Sequence, residues 1–447
     1  LSFKFKSVTF LLREIVTTIM DIHNQEIILK QENALLRKSS IPEENKRLIE
    51  KFQRELVIEG IKTPKLVRYS KTLRTVCERW KNKPFSKWTV EDVKDVLYSI
   101  ETDGYEVKEK VNGKIVRVKR KYKTHSINEF KKGLRKFFRW YKGETWEGLK
   151  PLRGEKKEDR KPDVLSEDEI LKMIEARDHP RDKAIIAVGY EAGLRIGELA
   201  NLQIKHITWN TNGAKIKVHG KTGERVIPIV MAAPYLRRWV DHHPFKDDPE
   251  AFVFIGLGTK NHGKPMVYQA FRKVIRQAAT KAKIKKKVYP HILRHSRATI
   301  LANFLTEAQM NIFFGWVQGS DMPAIYVHLS GRDIDNAINK VYGIETEEEK
   351  KETKLKPQKC PRCEEMNSPT AKFCQRCGLV LDEKERLKVQ FEESKTMPEI
   401  MGEILIDPER RNQFKEMLQF VEAMESNPEI SRKFFDVFQQ YFGKEKV

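Results

Sequence analysis

Between residues 43 and 143, apolar side chains recur every three or four positions, a spacing that predicts short amphipathic helices over 48–59, 64–80, 90–100 and 126–141. Strict alternation interrupts this at 105–111 and 114–122. The two runs flank Asn112-Gly113, a dipeptide suited to the positive φ angles of a two-residue turn, so a hairpin is expected here. A basic stretch with glycine and proline at 149–162 then reads as a linker. Helical spacing resumes after Ser166, where Glu169 stands three residues on and the two can cap each other's free backbone N–H groups. Helices are predicted over 170–177, 180–192 and 195–202, with a hairpin at 215–218 and 226–230 and a return to helix through Lys340. Residues 20–42 are helical and polar, with a break at Ser39-Ser40-Ile41-Pro42, and read as an accessory arm. The run 345–356 alternates acid and base as a solvated helix or linker does. In the tail, Phe414, Met417, Leu418, Val421 and Met424 recur at helical spacing, and a second helix is expected over 429–441 after Asn427-Pro428. That stripe needs a partner, either another part of the chain or, the reading favoured here, a neighbouring subunit. The expected fold class is mainly α with small β elements (α+β).

Composition narrows the partner. The 447 residues carry 86 Lys and Arg against 63 Asp and Glu, a formal charge of +23, which favours a polyanion, and nucleic acid above others. Charge alone leaves ribosome-associated proteins, RNA enzymes and DNA enzymes open. Residues 3–20 lean apolar, but Arg13 and Glu14 interrupt them well short of a membrane span or a signal core, so no membrane partner is expected. Met20 is a candidate start. Four of the five cysteines form two C-x-x-C pairs and Cys77 stands alone, a usage that points to metal in a reducing compartment and hence to the cytoplasm.

Five segments carry the chemistry: Ala192-Gly193-Leu194-Arg195-Ile196-Gly197-Glu198-Leu199, Gly220-Lys221-Thr222-Gly223-Glu224-Arg225, His291-Ile292-Leu293-Arg294-His295, Phe314-Gly315-Trp316 and Ala324-Ile325-Tyr326-Val327-His328. In order and spacing they resemble the tyrosine recombinases, the family of phage-type integrases and Xer-like resolvases, across roughly residues 45–340. The resemblance implies a helical core-binding domain and a catalytic domain that close as a clamp on double-stranded DNA. It implies Arg195 and Arg294 as the arginines that hold the scissile phosphate, with His291 beside them. Two planar guanidiniums can offset the charge of a pentacoordinate transition state. Lys221, at a hairpin tip, is the implied acid for the leaving 5′ oxygen. Trp316 stands where most members carry histidine; it keeps one N–H donor but cannot exchange a proton, which throws acid–base work onto Lys221 and His291. Tyr326 is the implied nucleophile, whose 3′-phosphotyrosyl product conserves the phosphodiester energy, so the strand chemistry needs no metal or other cofactor. Glu198 is expected to orient Arg195, and His328 to act as a supporting partner.

Two further features lie outside the motif set. Arg117, Lys119, Arg120 and Lys121 on the second strand of the first hairpin suit either a solvated surface or a DNA backbone contact. Cys360, Cys363, Cys374 and Cys377, in the pattern C-x2-C-x10-C-x2-C, have the spacing of a minimal ribbon closed by a structural zinc ion. Family members ordinarily lack this ribbon. The chain is thus expected to divide into an N-terminal segment (1–42), a core-binding domain (43–145), a linker (146–163), a catalytic domain (164–343), a zinc ribbon (357–380) and a helical tail (381–447). The expected function is site-specific recombination by a homotetramer on DNA, as integration or excision of a mobile element. Alternatives are a chromosome- or plasmid-dimer resolvase, and a DNA-binding protein that has kept the fold without the catalysis.

Overall fold

The computed structural model describes residues 21–111, 114–155, 163–220, 223–330, 353–393, 402 and 406–426. Two compact units result, the first ending at Leu355. Within that first unit the described residues form two large cores and a small third one.

The earlier core is helical: α1 (Gln25–Lys38), α2 (Glu43–Ile58), α3 (Thr63–Arg79), α4 (Val90–Asp103) and α5 (Thr124–Lys142), with a hairpin of β1 (Tyr105–Val111) and β2 (Lys114–Arg120) between the last two. The helices start where local chemistry starts them. Thr89 and Asp92 form a capping box at the head of α4, and Pro64 occupies the first turn of α3. Their apolar faces meet around a cluster of rings. Phe52 meets Phe137 edge-on at 5.3 Å and Phe85 meets Phe138 edge-on at 5.8 Å; such pairs add about 0.5–1.5 kcal/mol each beyond their buried area. Cys77 lies fully inside this core, and burial pushes its thiol up to about 12, which makes it an inert filler.

The segment read as an accessory arm is tied into both halves of the first unit. Leu36 of α1 is wholly buried in the helical core, and Glu32 accepts from Nε and Nη2 of Arg74 at 2.6 and 3.0 Å. Just before the helix, Ile22 is buried in the other core. Its carbonyl accepts from the Tyr268 backbone N–H at 3.1 Å, and the His23 ring lies 4.8 Å from that of Tyr268. The polar pattern conceals this because only isolated positions of the strap are inserted.

The second core is built on α7 (Pro180–Glu191), buried along most of its length, with α6 (Glu167–Glu175), α8 (Ile196–Ala200), α9 (Ala233–Asp241), α10 (Tyr268–Lys281) and α11 (Pro290–Leu301) around it. An antiparallel sheet in the order β3 (Ile207–Asn210), β4 (Gly213–Gly220), β5 (Gly223–Ile229) covers one side. Buried and exposed residues alternate along β4, as one covered face requires. The carboxylate of Glu191 receives the N–H groups of Val230, Met231 and Ala232 at 3.0, 3.1 and 2.7 Å, which anchors the end of β5 to α7. Two further helices, α12 (Glu307–Phe314) and α13 (Met322–Ser330), close a small cluster with Trp316 and Tyr326.

The second unit holds a short pair of strands, β6 (Gln358–Lys359) and β7 (Met366–Asn367), then α14 (Glu383–Glu393) and α15 (Pro408–Ser426). On α15, Met417 and Leu418 leave 52% and 45% of their surface open. The side chains of Val421 and Met424, and the helix expected over 429–441, lie outside the described residues. So do residues 1–20 and the linker from 156 to 162. Among the described residues no helix is long and apolar enough to cross a membrane.

Candidate active site

Three backbone turns bring the motif residues together. Gly193 takes φ 56° between α7 and α8, and a Cβ there would stand 2.4 Å from Cε1 of Phe314, so the turn leading to Arg195 admits only glycine. Gly315 ends α12 in the left-handed conformation and turns the chain to Trp316. Pro290 opens α11, placing His291, Arg294 and His295 within its first two turns.

The C-terminal end of α12 collects arginines. Its last carbonyls have no helical partner and carry the negative end of the helix dipole. Arg225 donates from Nε to the Phe313 carbonyl at 2.9 Å, Arg294 from Nη2 to Phe314 at 2.6 Å, and Arg195 from Nη2 to Gly315 at 2.9 Å. Arg294 also donates to the Gly193 carbonyl at 2.7 Å. Glu198 supplies the compensating carboxylate: it accepts from the backbone N–H and Nη1 of Arg195 at 2.8 and 3.0 Å and from both terminal nitrogens of Arg225. Burial opposes the charge on Glu198, but Arg225 and Arg195 outweigh it and hold the carboxyl below the usual range. Arg294 is almost fully buried; burial, then Arg195, lowers its pKa to about 9, still a cation at neutral pH. Arg195 remains partly open, with 28% of its side chain exposed.

An aromatic shelf lies beside the guanidiniums. Trp316 stacks on Phe314 at 4.8 Å and on Tyr326 at 5.4 Å, the latter with planes only 6° apart, and the Arg294 guanidinium sits 5.5 Å from the Trp316 ring. Tyr326 is 2% exposed, and burial pushes its phenol up to about 12 against the pull of Arg294. Its hydroxyl lies 2.6 Å from Nδ1 of His295. His291, one helical turn earlier, meets the His295 ring at right angles, 4.6 Å between centroids. His291 keeps a solvent-open face, yet the surrounding protein, then His295, Arg294 and Arg195, lower its pKa to about 4.

Arg195, Glu198, His291, Arg294, Trp316 and Tyr326 therefore share one site. Lys221 and the side chain of His328 lie outside the described residues. Gly220, however, comes close enough that a Cβ on it would stand 2.7 Å from Oε1 of Glu198. Arg117, Lys119, Arg120 and Lys121 are exposed on or just after β2, and Arg117 and Arg120 pair with Glu106 and Glu109 across the hairpin. Two members of the site, Arg225 and His295, were not singled out from the sequence. The i, i+4 spacing of His291 and His295 was a usable sign for the second; nothing local marks the first.

In the second unit the Sγ atoms of Cys360, Cys363, Cys374 and Cys377 lie within 4.8 Å of one another. The closest pairs, 3.6 Å for Cys360 with Cys377 and 3.5 Å for Cys363 with Cys374, are too long for disulfides. They approach the roughly 3.8 Å between sulfurs of a tetrahedral zinc tetrathiolate. Each C-x-x-C turn closes in the same way, the N–H four residues on donating to the first cysteine's carbonyl at 2.9 Å, at Glu364 and at Gly378. The donor set fits a closed metal centre.

The model of the Phage integrase family matches residues 163–332. Tyrosine recombinase XerD of Staphylococcus aureus (strain Mu50) is 31% identical over 232 residues, 48% of this chain and 76% of the relative. Transposase A from transposon Tn554, from the same strain, is 30% identical over 247 residues, 51% of this chain and 65% of the relative. A solved structure of a lambda integrase dimer bound to a COC' core site aligns with a TM-score of 0.51 over 64% of this chain and 78% of that one; at 15% identity this speaks to fold alone. Sequence kinship and the assembled site agree: the chain belongs to the phage integrase family of tyrosine recombinases, enzymes that break and rejoin DNA.

Proposed function

We propose that this enzyme integrates or excises a mobile element, acting as a tetramer on two duplexes with Tyr326 as nucleophile. The observation that carries the assignment of roles is the convergence of Arg195, Arg294, Trp316 and Tyr326 at the C-terminal end of α12. The phenol of Tyr326 attacks phosphorus, giving a 3′-phosphotyrosyl bond and a free 5′ hydroxyl. Arg195 and Arg294 hold the non-bridging oxygens, the Trp316 indole N–H adds a donor, and Glu198 keeps Arg195 in place. Lys221 protonates the leaving 5′ oxygen, a role supported by the approach of Gly220 to Glu198, and His291 assists. His328 is assigned a supporting role by position in the motif. The basic strand residues Arg117, Lys119, Arg120 and Lys121 contribute sequence-independent contact with phosphates.

The likeness to a transposase supports the mobile-element reading, as does the cysteine unit that follows the catalytic segment. The likeness to XerD favours a second reading, dimer resolution. Cys360, Cys363, Cys374 and Cys377 hold a structural zinc ion, which would supply folding energy to the ribbon and no catalytic step. The division into segments 1–42, 43–145, 146–163, 164–343, 357–380 and 381–447 belongs to the same proposal, as does a cytoplasmic site of action. The test is a nicked suicide duplex carrying the inverted repeats that flank the gene. A protein–DNA band that survives denaturation and vanishes in Tyr326→Phe is the expected result. Retention of that band in Tyr326→Phe removes the assignment, and absence of any band with the natural protein favours a binder without catalysis.

A further inference from the structure

The phenol of Tyr326 needs a proton acceptor. Burial holds it as a neutral hydroxyl far above working pH, and a neutral phenol is a poor nucleophile toward phosphorus. Of the groups assigned to proton transfer so far, Lys221 serves the leaving oxygen and His291 stands beside the arginines that hold the phosphate. The group in contact with the attacking oxygen is another one. His295 Nδ1 lies 2.6 Å from the Tyr326 hydroxyl, and Trp316, stacked on the phenol ring of Tyr326 itself, restricts that ring to one plane.

The geometry points to His295 as the general base that removes the phenolic proton of Tyr326 as its oxygen bonds to phosphorus. This rests on the reading of Tyr326 as nucleophile. The ring must accept at Nδ1, which places its own proton on Nε2. Two features favour that neutral state. Burial, followed by the adjacent Arg294 cation, lowers the His295 pKa. Among the described residues, the titratable groups around it are His291 and Arg294 on its own helix and Tyr326 on α13, and no carboxylate is among those that shift it. The step balances: the Tyr326 Oη–P bond forms, the P–O5′ bond breaks, the phenolic proton passes to His295 Nδ1 to give imidazolium, and the 5′ oxygen takes a separate proton from the acid on its own side. In rejoining, the imidazolium returns its proton to the departing phenolate while the 5′ hydroxyl attacks.

The experiment is single-turnover cleavage by the full chain, on a nicked duplex built on the sequence the protein selects from a random pool. It uses His295→Asn and His295→Gln alongside Tyr326→Phe. Asparagine can place a hydrogen-bonding atom near the position of Nδ1 but cannot take up a proton, so it separates positioning from base catalysis. His295→Asn should bind the duplex as the natural protein does and cleave about 100-fold more slowly. The acid limb of the natural pH profile should also be missing. A second duplex with sulfur at the bridging 5′ position, a leaving group that needs no acid, should rescue Lys221→Ala and leave His295→Asn slow. Cleavage by His295→Asn at or above the natural rate, an unchanged acid limb, or rescue by sulfur would each overturn the inference. If both His295 variants fail to bind the duplex, the sulfur substrate's pH profile with the natural protein decides: an acid limb retained there supports the base, and a flat profile removes it. If Tyr326→Phe still forms the covalent product, the nucleophile assignment fails first; loss in Tyr326→Phe with full activity in His295→Asn removes only the base.

Discussion

Arg225 lays its two terminal nitrogens on the two carboxylate oxygens of Glu198, at 2.9 and 2.8 Å, in a forked pair almost closed to solvent. Glu198 simultaneously holds Arg195. A buried pair of this kind gains little net energy by existing, but removing one partner strands a charge in a dry place.

Arg225→Ala should therefore destabilise the protein by about 3–5 kcal/mol, measured by denaturant unfolding. It should also weaken single-turnover cleavage, because Glu198 is then free to pull Arg195 away from Gly315. Glu198→Gln should be harmful for the converse reason, leaving two cations with one neutral neighbour. Unchanged stability in both variants would show that the pair is dispensable.

Acid should loosen the site in two stages. His291 has a folded-state pKa of about 4, below its unfolded value near 6.5. Unfolding therefore takes up a proton between these values, and the stability that His291 contributes is full above about pH 6.5 and lost as pH falls toward 4. Glu198 is also depressed, so its share disappears only at lower pH, beginning below the unfolded value near 4.3. Melting temperature against pH should flatten over the upper window in His291→Gln. A slope identical to that of the natural protein would contradict the assignment.

Trp316 separates packing from hydrogen bonding. Trp316→Ala removes the ring between Phe314 and Tyr326 and should cost about 3–5 kcal/mol, as large-to-small changes of buried aromatics do. Trp316→Phe keeps a stacking face but loses the N–H. Its melting point should move little while cleavage drops about ten- to a hundredfold, the worth of a hydrogen bond to a charged oxygen. Equal cleavage by Trp316→Phe would leave the indole with a packing role alone.

Metal analysis should find one zinc ion per chain, absent in Cys363→Ser. Chelation should unfold the ribbon around residues 356–382, read as new protease cutting there, with the site around Tyr326 unchanged in its DNA-free fluorescence. Resistance of the ribbon to cutting after complete metal loss would disprove a folding role.

Local pattern made much of this legible. The capping boxes at Thr89 and Ser166 and the alternation along β4 encode their elements within a few residues. The motif residues were visible because family spacing marks them. What stayed hidden depends on distant parts of the chain. Arg225 lies three residues after the tip of a basic-looking hairpin, and only folding reveals that it faces Glu198 and the Phe313 carbonyl. His295 was seen but unassigned, because its meaning comes from a tyrosine 31 residues on. Ile22 is a lone apolar residue between Asp21 and His23, with no periodic neighbours to announce its burial.

That last residue has a mechanical consequence. Fourteen residues of α1 make a strut of about 21 Å, clamped at its middle by the Glu32–Arg74 fork and followed backward to Ile22, whose Cδ1 lies 4.0 Å from the Cβ position of Gly197. Gly197 is two residues from Arg195. The same strap thus touches both the helical bundle and the turn that carries Arg195, so the two halves are joined at the site itself.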